Sequence, residues 1–274
     1  MSKTKDWFSV DKSGLAKVLG RRGKELALFE LIQNSWDEAG VTFVEVTTER
    51  ISRSVRLTVI DDAPDGFRDL SHAWTLFAES AKKNNPTQRG RFNLGDKLVF
   101  ALADEVGIFT MQGGVYFDKD GRHILRARRS RGSTVSVIMK MTVDEEKKLN
   151  EAVQKLISCP DGIKTMFNGR ELERREPMKR LEKCLKTEVA DEFGHLKSEF
   201  LMTTVTLYPV GADERSTLYE MGIPVCETGD NDRWHYDIGQ KVPLTMDRTG
   251  VAASWLADLR AEVLNDMLGE LTAE

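Results

Sequence analysis

Cysteine is scarce in this chain. Its 274 residues include three, Cys159, Cys184 and Cys226. They are far apart, odd in number and form no Cys-x-x-Cys pair, which excludes a disulfide framework and a zinc site of ordinary spacing. Buried, reduced thiols are expected instead. Long apolar runs are also missing: nothing approaches the ~20 residues that cross a bilayer. The opening MSKTKDWFSVDKSG has no apolar h-region, so neither a membrane span nor a signal peptide is expected, and the chain reads as cytoplasmic. Positive charge is not in excess, since the formal net charge is −4; no global basic field marks a nucleic-acid binder. There is no repeat, no low-complexity linker and no GxxxxGK[ST] phosphate loop. What remains, 40% hydrophobic and 31% charged residues, is the balance of a folded soluble chain, long enough for one large domain or two ordinary ones.

The segment LFELIQNSWDEAG (28–40) poses the sharpest question. Leu28, Phe29, Ile32, Trp36 and Ala39 form an apolar stripe, so residues 24–39 read as a helix with Gly40 at its C-terminal cap. Glu30, Asn34 and Asp37 fall within about 60° of each other on the opposite side. That stripe is either a solvated face or a site. VTFVEVTTE (41–49) and SVRLTVIDD (54–62) read as paired strands, and APDG (63–66) as a turn. Residues 68–83 look helical, 82–90 form a polar loop, and a helix starts near Gly95. Strands are expected at 106–111, 114–118, 122–129 and 133–141. A helix over 142–158 has Thr142 as its cap, Asn168-Gly169 marks a hairpin, FLMTTVTLYPV reads as a strand, and 250–271 as an amphipathic helix. A soft boundary near 142–160 divides the chain into domains at 1–141 and 142–274.

Three stretches can work together chemically. A carboxylate such as Glu30 can orient and deprotonate a water at a phosphoanhydride. Magnesium needs hard oxygens and keeps several waters, so one protein oxygen, from Asn34, suffices beside phosphates. VIDDAPDGF (59–67) delivers carboxylates to a tight turn, where a buried aspartate can accept a hydrogen bond from an exocyclic amine and so favour adenine over guanine. GRFNLGDKLVFALAD (90–104) puts glycines ahead of a helix whose free N–H groups suit phosphate, with Lys97 in the first turn.

In this order the stretches resemble the boxes of the GHKL superfamily, which includes the ATPases of gyrase, the ninety-kilodalton heat-shock chaperone, histidine kinases and MutL. ELIQNSWDEA resembles the family N-box. The resemblance implies Glu30 as general base, Asn34 as magnesium ligand and Asp37 as a supporting residue. DDAPDGF resembles the Asp-x-Gly-x-Gly box, with Asp62 as the adenine-binding aspartate, Gly66 as the second glycine and Asp61 contributing through water. GRFNLGDK resembles the glycine-rich lid, implying phosphate contacts from Gly90, Leu94, Gly95 and Lys97. RGSTVSVIM resembles the later Gly-Thr box, with Thr134, or Ser133, on the adenine side. The match covers about residues 8–141. Pro64 stands in place of the first glycine, and Asn93 and Asp96 depart from the lid pattern, which implies a stiffer turn and slower turnover.

The family implies an α+β fold: a two-layer α/β sandwich (the Bergerat ATP-binding fold), followed by a smaller C-terminal α/β domain resembling a transducer. It implies ATP and Mg²⁺ as cofactors, slow hydrolysis to ADP and phosphate, and closure of the 82–96 loop as a switch for a protein partner or a homodimer. No phosphoacceptor histidine is expected, because about twenty residues precede the N-box helix and the four histidines are scattered. In gyrase-like and MutL-like members a second domain supplies a lysine to the γ-phosphate; here YDIGQKVPLTMDR offers Lys241, with Arg248 second. The chain is similar to stand-alone bacteriophage and prokaryotic members. Two other readings stand beside this one: a catalytically inactive nucleotide-binding interaction module, and a nucleic-acid-associated regulator using Arg126, Arg128, Arg129 and Arg131 on one strand.

Overall fold

Alternation of β-branched residues with polar ones builds most of this chain into two antiparallel-rich sheets, each with helices on one face. The structure is a computed structural model and describes residues 11–19, 23–66, 69–75, 85–89, 95–190, 196–230, 232–245 and 250–269. The chain divides into two units. Unit 1 comprises 1–78, 93–153 and 166–170, and unit 2 comprises 79–92, 154–165 and 171–274. Residues 143–153 lie in unit 1 and residues 79–92 in unit 2.

In unit 1 the elements are α1 (Lys12–Leu19), α2 (Glu25–Trp36), β1 (Phe43–Ile51), β2 (Ser54–Asp61), α3 (Gly95–Leu102), β3 (Glu105–Thr110), β4 (Gly113–Asp118), β5 (Gly121–Leu125), β6 (Thr134–Lys140) and α4 (Val143–Ala152). Where helix was expected over 68–83, the described part is one 3₁₀ turn at Leu70–Ala73, entered through the Asp69 side chain, which accepts from the Ser71 N–H. The strand order is β5-β4-β3-β6-β2-β1, and these neighbours run antiparallel. A hairpin, β7 (Lys164–Phe167) and β8 (Arg170–Glu171), extends the sheet beyond β1. Asn168 and Gly169 take φ +47° and +77°, as a two-residue hairpin loop requires, and the Asn168 N–H donates to the Val46 carbonyl at 2.9 Å.

The burial pattern of β2 repeats every second residue, with Val55, Leu57, Val59 and Asp61 buried. Helix α2 packs on β1, β2 and α3 through Leu28, Leu31, Ile32 and Trp36, all buried. Each such side chain contributes roughly 1.5–3 kcal/mol on leaving water. The helix stops at Trp36, so Ala39 is exposed and outside it. Thr142 and Glu145 form a capping box at α4: the Thr142 Oγ1 accepts from the Glu145 N–H at 3.2 Å, and a Glu145 carboxylate oxygen accepts from the Thr142 N–H at 2.8 Å. Thr142→Ala is expected to cost about 1 kcal/mol, read as a lowered urea midpoint with an unchanged slope.

Unit 2 adds β9 (Lys179–Ala190), β10 (Leu196–Pro209), β11 (Thr217–Glu220), β12 (Ile223–Glu227), β13 (Trp234–Ile238) and α5 (Ala253–Met267). Its sheet order is β12-β11-β13-β10-β9, with β11 and β13 parallel. Trp255, Leu259, Val263 and Met267, four residues apart on α5, cover Leu185, Val205, Leu207, Tyr236 and Ile238. The Trp255 indole N–H donates to the Lys186 carbonyl at 2.9 Å. His235 is a packing residue. Its Nδ1 accepts from the Thr217 N–H, which leaves the proton on Nε2 to donate to Glu214, and burial lowers its pKa. Of the cysteines, Cys159 is buried and Cys226 half-buried, but Cys184, expected inside, is exposed on β9.

Candidate functional site

The polar stripe of α2 is not a solvated face. Glu30 and Asp37 are both buried. The Glu30 carboxylate accepts a short hydrogen bond from the Gln33 side chain and lies against the first residue of α3. A Cβ placed on Gly95 would stand 1.9 Å from a Glu30 oxygen, so a larger residue there would push that carboxylate aside. Asn34, one turn beyond Glu30, is partly exposed, and Asp37 caps the C-terminus of α2. Gly40 (φ +72°) then turns the chain so that its Cα faces Pro64. This brings the end of α2 beside the 61–66 turn, where Glu38 sits within electrostatic reach of Asp61.

The two aspartates of that turn differ by one residue and therefore by one face of the sheet. Asp61 continues the buried row and is 5% exposed. Its Oδ1 accepts from the Ala63 and Ser133 N–H groups, each at 3.1 Å, while Oδ2 receives no hydrogen bond from a described residue. Burial pushes its pKa up to about 6, against the opposing pull of those two N–H groups. Asp62 lies on the other face. There it accepts from the Thr42 N–H and hydroxyl and the Phe43 N–H, and it pairs with Arg131 at 3.1 Å. Against the upward push of partial burial, these donors hold its carboxyl below the usual range. The carboxylate of Asp62, expected to read a base, is thus engaged by Thr42, Phe43 and Arg131, while Asp61 is the buried acceptor with an oxygen that no described residue bonds.

The same one-residue offset applies on β6. Thr134 is opposite Ile60 and accepts from the Arg129 guanidinium at 2.6 Å, on the face away from Asp61. Ser133, the alternative, is buried beside it, and the Ser133 carbonyl accepts from the Asp61 N–H at 3.0 Å. Gly66 (φ +58°) packs against Gly132 (φ +66°), which in turn lies against the backbone of Asp61. Gly132 and Ser133 were not both singled out by the motif; the signal that finds them is the alternation of β2 carried across to its partner strand.

Lys97 is placed differently from its expected role. It lies two residues after Gly95, about 200° around the helix, so it points away from Glu30. It is buried and lines, with Trp74, Phe100 and Phe117, a cavity of about 340 Å³. Lys241, expected to reach the γ-phosphate, is 1% exposed inside unit 2: its N–H donates to the Pro86 carbonyl at 2.8 Å and its carbonyl accepts from the Thr187 hydroxyl at 2.7 Å. In the same unit Arg89, also buried, donates to the Glu220 and Met221 carbonyls. The described part of the expected lid, 85–89, is thus tied down within unit 2. Gly90, Leu94 and Arg248 lie outside the described residues. Of the arginine cluster, β5 ends at Leu125; Arg129 and Arg131 are engaged internally, and Arg126 and Arg128 are exposed in an irregular segment.

Among the described residues no three His, Cys, Asp or Glu side chains group to hold a metal, and no helix is long and apolar enough to cross a membrane. Comparison of the sequence with protein families finds no match, and none is found among curated proteins. Among solved structures, the chain is similar to the ATPase region of Saccharomyces cerevisiae topoisomerase II, both with ICRF-187 (dexrazoxane) bound and in a second structure. The TM-score is 0.52 in each case at 10% identity, covering 89% of this chain and 85% of that one. It is also similar to the ATPase and transducer domains of DNA topoisomerase II from Balamuthia mandrillaris, with TM-score 0.51 and 9% identity over 87% and 81% of the two chains. The fold of this chain is that of the ATPase region of these type II topoisomerases.

Proposed function

We propose that unit 1 binds ATP together with magnesium and hydrolyses it slowly. The observation that carries this reading is the Asp61 carboxylate: buried, fixed through Oδ1 by two backbone N–H groups, and left with Oδ2 as an acceptor for an exocyclic amine. Adenine donates there and guanine presents a carbonyl oxygen, so ATP is preferred over GTP. Gly66 and Gly132 keep the backbone close enough to Asp61 for a flat ring to lie against it. The metal fits the same donor chemistry. With no acidic cluster among the described residues, magnesium would take phosphate oxygens, water and the single amide oxygen of Asn34. When bound, it neutralises phosphate charge. Glu30, one turn from Asn34 and locked by Gln33 and Gly95, is the base that accepts the proton of the attacking water.

The fold shared with topoisomerase ATPase regions supports this reading, and the burial of Glu30 argues against a merely wet helix face. Lys241 enters only as an interior residue of unit 2. Segment 85–89 is held by Arg89 and Pro86. Movement of the 82–96 segment on nucleotide binding would therefore be felt in unit 2, a route to a protein partner or a second copy.

Glu30→Gln keeps the shape of the side chain and removes the base. Phosphate release is expected to fall by roughly 10²–10⁴-fold while calorimetry still records ATP binding. Background release in both wild type and variant, with ATP bound by both, would instead establish the inactive binding module.

A further inference from the structure

Strand β9 is the last strand of the unit 2 sheet, and among the described residues no strand pairs with its outer edge. Alternate residues of its twelve turn their backbone N–H and C=O to that side, where the Lys186 carbonyl also accepts from the Trp255 indole. Alternation sends Leu181, Lys183, Leu185 and Thr187 to the side that α5 covers, where all four are buried. The opposite face carries Arg180, Glu182, Cys184, Lys186 and Glu188. The neighbouring strand adds apolar surface to that face. Met202 stands opposite Cys184 and Phe200 opposite Lys186, and they are 66% and 69% exposed. The register between β9 and β10 is unbroken, so no bulge turns the edge away, and the exposed face presents apolar side chains and a thiol among its charges.

The charges on that face are self-complementary. If a second β9 is laid antiparallel against this one with the twofold axis at Cys184, Arg180 meets Glu188 of the second copy and Glu182 meets its Lys186. Cys184 meets Cys184. Every charged outer-face residue from 180 to 188 then faces its opposite. Sliding the pairing by two residues brings Arg180 opposite Lys186 in one direction and Glu182 opposite Glu188 in the other, and directly opposed like charges are destabilising. One register is therefore selected. We propose that β9 is a homodimer interface: two copies of this chain join edge to edge around Cys184 and continue the unit 2 sheet across the twofold axis. Such an interface is isologous, so every contact occurs twice. It needs no nucleotide and stands independently of the site in unit 1.

Light scattering on the full chain tests this. Wild type is expected at twice 30.9 kDa. Glu182→Lys introduces two like-charge contacts per dimer and is expected to weaken association by roughly tenfold or more. Adding Lys186→Glu to it restores the opposed charges and returns the dimer. A short bismaleimide is expected to couple wild type through Cys184, but not Cys184→Ser. All three positions are exposed, so unchanged thermal melts separate lost pairing from lost folding. A monomeric wild type, or a dimer whose mass and crosslinking ignore these substitutions, overturns the proposal. ATP heats taken on the same samples report on the unit 1 site alone.

Discussion

Asp61→Asn is expected to eliminate ATP binding while leaving unit 1 as stable as wild type at neutral pH, or more so. The asparagine Oδ1 can keep both hydrogen bonds from Ala63 and Ser133. Its amide nitrogen then occupies the Oδ2 position and presents a donor to the donor of the adenine amine. An unmatched polar contact at a buried site costs far more than a lost neutral one, so a loss of affinity of about 100-fold or more is expected. The stability half follows from linkage. The folded-state pKa of Asp61 is raised from 3.8 to about 6, so the folded chain holds more protons than the unfolded chain across that window. Stability from this group is highest at low pH, declines as pH rises from about 4 to about 6, and is flat above. By pH 7 the ionised group costs roughly 3 kcal/mol, which the amide does not incur. A site that holds a costly charge for a ligand is the usual origin of such a trade-off.

The same carboxylate sets a pH dependence. With Oδ1 occupied by two N–H donors, a proton taken up below pH 6 sits on Oδ2 and converts the acceptor into a donor. ATP affinity is expected to fall about tenfold per pH unit below that point. Asp62→Asn is the control. It removes the tie to Arg131 and weakens the cap on Thr42 and Phe43, so the melting temperature drops, but ATP affinity and its pH profile are retained. Calorimetry across pH 5–8 on the two variants decides between the aspartates; equal ATP heats for Asp61→Asn and wild type would remove Asp61 from the site.

Local signals were readable from the chain itself. The α2 stripe, the capping box at Thr142 and the Asn168-Gly169 hairpin depend on residues a few positions apart, and all form. The proposed adenine acceptor lies one residue from the one the box implies. Counting back from Gly66 by the box spacing lands on Asp62, because Asp61 stands one residue further from the glycine than that spacing allows. Counting along Val55, Leu57 and Val59 lands on Asp61, and the strand period is the stronger constraint because a single step reverses the face. Ser133 and Thr134 differ for the same reason. Strand β9 was not legible as a 12-residue strand, since Lys183 and Thr187 interrupt its buried row. Their partners are Glu262, Asp266 and the Lys241 carbonyl, dozens of residues away. Lys97 was read from its place in the lid box, and the helical pitch carried its side chain to the far side of α3.

Gly132→Ala should produce the largest loss of stability of any methyl-sized change in unit 1. The new Cβ would stand 1.9 Å from the Asp61 carbonyl oxygen and 2.9 Å from the Asp62 Cα. Both are backbone atoms, so no side-chain rotation relieves the overlap. The surrounding chain is pinned as well: the Gly132 N–H donates to Ala63 at 3.1 Å and the Asp61 N–H to Ser133 at 3.0 Å. Forcing the strands apart breaks the two bonds that position the Asp61 carboxylate. Overpacking costs of about 1–3 kcal/mol add to the cost of a non-glycine residue at φ +66°, about 1–2 kcal/mol. A total near 3 kcal/mol or above is therefore expected, with ATP binding lost in whatever fraction still folds. Gly121→Ala separates the two contributions. Gly121 also has positive φ, +117°, but open space where its Cβ would go, so it reports backbone strain without a clash. The urea midpoint of Gly132→Ala should lie below that of Gly121→Ala, which retains full ATP affinity. Equal midpoints would mean that the Asp61 strand and the Gly132 loop are not held in the close contact on which the adenine acceptor depends.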